Sequence, residues 1–318
     1  MSGERKKVLF LRFSSLGDII FANYSAMRIK EKHPEFHLTW MTDSMYAGIV
    51  RAQPWVDGVI EWDRKNTGNR GYREILKKIR RMGFDILIDM HGSDRSSLFS
   101  LFSGIKTRYC VIHRFPFTHT NFDFSDLLDK SLEMSGCPSY LCPPPASDEW
   151  PELCGREGKK LGLAIGASAA VKRWPVQRWI EFCRLASDAG YDMYLMGSGD
   201  DEKRTAREIC GGTASPRVKD MVGRTSIEGS ITLTSMMDAV VSGDTGLMHI
   251  ARALGKPVAG LFGPNFPGAG TRYMDSLGAC FFCGCPNKGC EKLECSRQCL
   301  EDIDAAEVFA AVERLTQR

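Results

Sequence analysis

The sequence predicts an α/β protein built from two Rossmann-like domains, and three observations carry that expectation. Residues 240–264 (VVSGDTGLMHIARALGKPVAGLFGP) read as strand, tight turn, helix and strand. Apolar runs, small-residue turns and helical stretches alternate over residues 7–112 and again over residues 161–264. A proline-rich stretch, with Pro138, Pro143, Pro144, Pro145 and Pro151, separates the two series. Proline runs are extended and semi-rigid, so this stretch reads as a linker. The expected domains are residues 1–150 and 151–318.

Length and composition agree. A chain of 318 residues is long for one domain and natural for two. Its 43% hydrophobic and 25% charged residues are those of an ordinary globular protein. The net charge of +3 implies no strong global field toward nucleic acid or a membrane. The N-terminus, MSGERKKVLFLRF, lacks a signal-peptide pattern, and no run of about 18 apolar residues exists. The expectation is a cytoplasmic protein whose membrane contact, if any, is peripheral.

In the first half, residues 7–13 (KVLFLRF) read as a buried strand. Ser14-Ser15-Leu16-Gly17-Asp18 is a turn, and residues 19–32 form a helix ending before Pro34. Such a first turn is where α/β folds place ligand chemistry. Asp18 at a helix start also suits the helix dipole. Residues 37–42 and 59–62 are further strands. Residues 70–81 carry six basic side chains against Glu74, either a solvated helix face or a surface for an anionic acceptor or lipid heads. Residues 84–90 (FDILIDM) form a strong strand, followed by His91 and Arg95, and residues 106–112 form another. Guanidinium groups suit carboxylates and phosphates, so Arg95 could meet an anionic sugar.

In the second half, residues 161–165 form a strand, with Gly166-Ala167-Ser168 turning after it. Lys172 follows, and Pro175 suits the first position of a helix. Residues 191–196 form a strand that ends in Gly197-Ser198-Gly199. Ser226 can cap a helix whose first turn holds Glu228. In residues 240–264, the apolar run breaks at Ser242-Gly243-Asp244-Thr245-Gly246 and turns helical, and Gly255 stops that helix. Backbone N–H groups at such a helix start suit a phosphate or pyrophosphate. Asp244 and Thr245 can also cap it. Residues 303–315 read as an amphipathic helix capped by Asp304.

Twelve cysteines are many for a cytosolic chain. Six of them (Cys110, Cys137, Cys142, Cys154, Cys183, Cys210) are scattered and read as reduced thiols. The rest cluster as Cys280, Cys283, Cys285, Cys290, Cys295 and Cys299. That spacing can hold structural zinc or an iron–sulfur cluster, or leave the thiols without metal.

The stretch DTGLMHIARALGKPVAGLFGP resembles the C-terminal signature of glycosyltransferase family 9, the ADP-heptose:lipopolysaccharide heptosyltransferases. Other segments match the family in order. Arg12 to Asp18 fits its R-x-S-S-x-G-D, and Gly166 to Pro175 fits its G-[AT]-[ST]-x-x-x-K-x-W-P. Ile88 to Ser96 fits I-D-x-Q-G-x-x-[KR]-S, with His91 in place of the glutamine. The resemblance implies a GT-B architecture: two facing Rossmann-like domains and a C-terminal helix that crosses back. It implies inverting transfer of a heptose from ADP-heptose to the lipopolysaccharide inner core, with no obligatory cofactor. Asp18 would be the general base and Lys172 would neutralise the departing ADP. Ser168, Glu228, Asp244, Thr245, Gly246, Leu247 and His249 would bind the donor. Ser15, His91 and Arg95 would meet the acceptor. Within the cysteine series, Cys280, Cys283, Cys290 and Cys299 match the family best. A sugar-nucleotide epimerase or hydrolase of similar fold, or a transferase using another nucleotide sugar, is the alternative.

Overall fold

A computed structural model describes residues 5–63, 68–110, 139–144, 158–167, 172–263, 278–282 and 300–317. The chain divides into two compact units. The first runs β1 (Lys7–Leu11), α1 (Leu16–Lys32), β2 (His37–Thr42), α2 (Ala47–Arg51), β3 (Gly58–Glu61), α3 (Gly68–Met82), β4 (Ile86–Asp89), α4 (Asp94–Phe102) and β5 (Thr107–Cys110). Its five parallel strands lie in the order β3-β2-β1-β4-β5.

Alternation along β1 divides the core of this unit. Val8 and Phe10 point to one face, where α1 brings Ile19, Ala22, Ala26 and Ile29. Leu9 and Leu11 point to the other, where α3 and α4 bring Ile75, Leu76, Ile79 and Phe99. With both faces covered, β1 is apolar from Val8 to Leu11 rather than alternating. At about 25 cal/mol per Å² of apolar surface removed from water, these two layers supply most of the drive to fold.

The second unit contains β6 (Lys160–Ala164), α5 (Val176–Asp188), β7 (Asp192–Met196), α6 (Asp200–Thr213), β8 (Val218–Asp220), α7 (Ile227–Ser235), β9 (Ala239–Gly243), α8 (Gly246–Ala253), β10 (Val258–Phe262), β11 (Gly278–Phe282) and α9 (Ala305–Thr316). Its six parallel strands lie in the order β11-β10-β9-β6-β7-β8. Asp304 caps α9 by accepting from the N–H groups of Ala306 and Glu307. Val308 and Val312 of α9 join Trp179 and Phe182 of α5 in the core of this unit. The order in both units reverses beside the first strand, so each sheet has one switch point: between β1 and β4, and between β6 and β9.

Two expectations need correction. Pro175 sits one position before the first helical residue, as N-cap, with ψ 142. Trp174 is anchored beside it, donating from Nε1 to the Ile303 carbonyl at 3.1 Å and packing on Trp179. The proline-rich stretch is not spacer throughout. Tyr140 is fully buried. Asn23 donates to the Tyr140 carbonyl at 2.6 Å, and Gln53 both donates to the Cys142 carbonyl and accepts from its N–H. Buried amides thereby hold residues 140–142 to the first unit.

Candidate active site

In the first unit, the turn after β1 carries Arg12, Ser15 and Asp18. Leu16 already begins α1, earlier than the helical pattern suggests, with Ser15 as N-cap and Asp18 in the first turn. Asp18 Oδ2 accepts from the Ser15 backbone N–H at 3.2 Å and from its hydroxyl at 3.1 Å. The same oxygen forms an ion pair with Arg12 Nη2. Arg12 is buried, and its Nη1 donates to the Met90 carbonyl at 2.6 Å, joining the turns that follow β1 and β4. Burial pulls the Arg12 pKa down, while Asp18 and then Asp89 oppose that pull. The Asp18 side chain remains 41% exposed, so a solute can reach it.

Across the switch point, Asp89 is fully buried and accepts from the N–H groups of His91 and Gly92. Gly92 takes a φ of 63°, a conformation costly for other residues. The turn sets His91 edge-on against Phe13, ring centroids 5.2 Å apart. Ser93 caps α4, and Arg95 lies in its first turn. A pocket of about 210 Å³ opens here, lined by Phe13, Trp62, Gly68, Tyr72, Arg95, Ser96 and Leu98.

In the second unit, the turns after β6 and β9 meet in the same way. Lys172 Nζ lies 3.4 Å from Asp244 Oδ2, and His249 Nε2 lies 3.9 Å from Asp244 Oδ1. Both distances exceed those of a tight charge-assisted hydrogen bond. A Cβ at Gly243 would come 3.4 Å from the Lys172 carbonyl oxygen, so glycine allows the two turns to approach. Thr245 is the N-cap residue of α8 but makes no side-chain capping bond. Its hydroxyl instead faces Ser242 Oγ at 3.1 Å, and Asp244 faces Lys172. This corrects the capping expectation for both residues. A helix start without a side-chain cap, with a lysine and a histidine beside it, favours a phosphate. Gly246 and Leu247 form the first turn of α8. Ser226 caps α7 by accepting from the Gly229 N–H, with Glu228 in its first turn.

The family model "Glycosyltransferase family 9 (heptosyltransferase)" matches residues 143–301, half of the chain. The chain belongs to this family. As a family 9 glycosyltransferase it is similar to the lipopolysaccharide core heptosyltransferase OpsX of Haemophilus influenzae. That protein is 24% identical over 285 residues, covering 82% of this chain and 80% of the relative. Its fold is that of a solved family 9 glycosyltransferase from Veillonella parvula, with TM-score 0.82, 20% identity, and 100% and 99% of the two chains covered. It is also that of E. coli heptosyltransferase WaaC with ADP-2-deoxy-2-fluoro heptose, with TM-score 0.68, 21% identity, and 97% and 99% covered. These likenesses establish the GT-B fold.

The glycosyltransferase therefore has charged side chains at the switch point of each sheet. Asp18, Ser15, His91 and Arg95 fall at the first, and Lys172, Asp244, Thr245 and His249 at the second. Ser168 lies outside the described residues, as does the stretch 113–125. So do Cys283, Cys285, Cys290, Cys295 and Cys299. Cys280 lies in β11, a strand the pattern does not reveal. Among the described residues, no group of three or more His, Cys, Asp or Glu could hold a metal ion. Among them too, no helix is long and apolar enough to cross a membrane.

Two residues of this region escape a reading by sequence pattern. Arg12 opens the R-x-S-S-x-G-D match, but nothing in that spacing shows that it pairs with Asp18 and holds the Met90 carbonyl. Glu202 accepts from the N–H groups of Ser198 and Gly199 and fills the space that Gly166 and Gly197 leave. The glycine-rich turn after β7 is thus occupied by the chain's own carboxylate.

Proposed function

We propose that the chain transfers a heptose from ADP-heptose to the lipopolysaccharide inner core, inverting the anomeric carbon in one displacement. The first unit takes the acceptor and the second takes the donor. Asp18 removes the proton from the acceptor hydroxyl. The acceptor oxygen then attacks the anomeric carbon, and the bond from that carbon to ADP breaks. Lys172 and the start of α8 at Thr245 take up the charge that grows on the departing ADP. Ser168, Glu228, Asp244, Gly246, Leu247 and His249 bind the donor, and Ser15, His91 and Arg95 meet the acceptor. No metal is obligatory, because lysine and helix dipole carry the leaving-group charge. The reaction belongs on the cytoplasmic side of the inner membrane, where a lipid-linked acceptor is met.

The observation that carries this reading is the pairing of opposite chemistries at two switch points. A reachable carboxylate stands at one, and a cationic helix start at the other. Heptosyltransferase names among the relatives and a solved homologous fold holding an ADP-heptose analogue support the choice of substrates.

A thermal-shift panel of ADP, UDP, GDP and CMP, with and without chelator, tests the donor side. A ligand at a hundredfold its Kd stabilises by about 2.7 kcal/mol. The reading expects a selective ADP shift that survives chelation. A preference for UDP or GDP would move the donor. Turnover of ADP-heptose that needs no acceptor would indicate an epimerase or hydrolase instead.

A further inference from the structure

Helix α4 turns its small polar residues inward and its large apolar residues outward. Ser96, Ser97 and Ser100, with Ser103 just beyond, are buried, and Phe99 anchors the helix in the core. Leu98, Leu101 and Phe102 are 48%, 40% and 49% exposed. Together with Arg95 they follow three- and four-residue spacing, so they share one face. Half of the large apolar side chains exposed among the described residues belong to this one helix.

The neighbouring α3 presents Arg70, Arg73, Lys77, Lys78, Arg80 and Arg81 to solvent against the single acid Glu74. The chain as a whole carries only +3, so this is a local concentration of charge. The two helices are tied at one end. Arg80 donates from Nε and Nη2 to the Phe102 carbonyl at 3.0 and 2.6 Å. Arg108 of β5 donates to the carbonyls of Ser100 and Leu101 at 3.2 and 3.3 Å. Cations thus gather where Leu101 and Phe102 stand out.

We propose that this face docks the enzyme on an anionic lipid bilayer. Leu98, Leu101 and Phe102 enter the boundary between headgroups and acyl chains, while the basic row of α3 meets lipid phosphates. Charge selects this occupant over a second copy, because a two-fold contact would set one basic row against another. Leu98 also lines the pocket that holds Arg95, so a bilayer on this face adjoins that pocket. The inference names the surface that a lipid-linked acceptor would require, but its test uses no substrate.

Full-length protein is co-sedimented with vesicles of phosphatidylcholine alone and of phosphatidylcholine with phosphatidylglycerol. The wild type is expected to bind the second and not the first, and to release at high salt. Leu101→Ser/Phe102→Ser and Lys77→Glu/Lys78→Glu/Arg81→Glu should each weaken partition by about tenfold or more, with Tm near wild type. Wild type that stays in the supernatant, or either variant binding as wild type does, overturns the proposal. A dimer that Leu101→Ser/Phe102→Ser dissolves assigns the face to a second copy and overturns it too. The vesicles carry no acceptor sugar, so failure here leaves the transfer reading untouched, and failure of transfer leaves vesicle binding untouched.

Discussion

Arg12 and Asp18 form an ion pair across the turn after β1, with the cation buried and the carboxylate reachable from solvent. Because Arg12 also holds the Met90 carbonyl, it fixes the carboxylate relative to the turn after β4. The role proposed for Arg12 is to position Asp18.

Replacing Arg12 should therefore lower turnover through Asp18. Arg12→Met removes both the charge and the fork that binds Met90. We predict a kcat reduced by about tenfold to a hundredfold, with ADP affinity unchanged. The acid limb of the kcat/KM profile should move to higher pH, since a neighbouring cation favours an ionised carboxylate. A loss of stability with an unmoved pH profile would reduce Arg12 to a structural role.

Lys172 is proposed to serve the other half of the chemistry. Its 3.4 Å separation from Asp244 makes it an adaptable partner rather than part of a firm salt bridge. Lys172→Met should cost roughly a hundredfold to a thousandfold in kcat, the range for losing one stabilising group at a developing charge. ADP should still bind, more weakly. Unchanged kcat measured by steady-state kinetics would remove Lys172 from the leaving-group role.

Gly243 tests whether the turns after β6 and β9 must approach one another. A methyl group there meets the Lys172 carbonyl at 3.4 Å, at the edge of ordinary contact. Gly243→Ala should raise the KM for the donor several-fold and destabilise by about 1 kcal/mol, the low end for overpacking. Chemical denaturation and donor titration measure both. A variant with wild-type KM would show that this approach does not shape the donor site.

Cys183 gives a pH prediction. It is buried against Trp179 and Phe182 in the core of the second unit, and burial raises its thiol pKa to about 12. The folded value lies above that of an unfolded cysteine, near 8.5. Its contribution to stability is then full below the unfolded value and is lost as pH rises toward about 12. We predict steeper alkaline unfolding for wild type than for Cys183→Ala over that window. We also predict no reaction of Cys183 with a thiol reagent in the native protein near neutral pH. Rapid native labelling of Cys183 would contradict this.

The sequence made the sheets legible because fully buried parallel strands are short apolar runs bounded by turns. His37–Thr42 needed nothing more. Gly255, with φ 73°, and Asp304, with its two accepted N–H bonds, mark helix ends through local chemistry alone. Helix α4 was missed because it inverts the usual stripe, with serines inside and leucines outside. β11 was missed because Gly278–Phe282 runs into the cysteine cluster. In the site, Asp18, Lys172 and Asp244 follow from motif spacing. The Arg12–Asp18 pair does not, since no spacing rule says that a cation in the turn after β1 folds back on a helix carboxylate. The 3.4 Å meeting of Lys172 and Asp244 joins residues 72 positions apart and emerges only when β6 pairs with β9.

The most direct test of the account is turnover of Asp18→Asn with ADP-heptose and a lipopolysaccharide inner-core acceptor, measured beside its ADP affinity by calorimetry. Asparagine keeps the size and can still accept from the Ser15 N–H. The substitution removes the counter-charge of Arg12, whose Nη1 keeps its bond to the Met90 carbonyl. The account predicts a folded enzyme with near wild-type ADP affinity and turnover reduced by about a hundredfold to ten-thousandfold, as for a lost general base. Turnover close to wild type would contradict it.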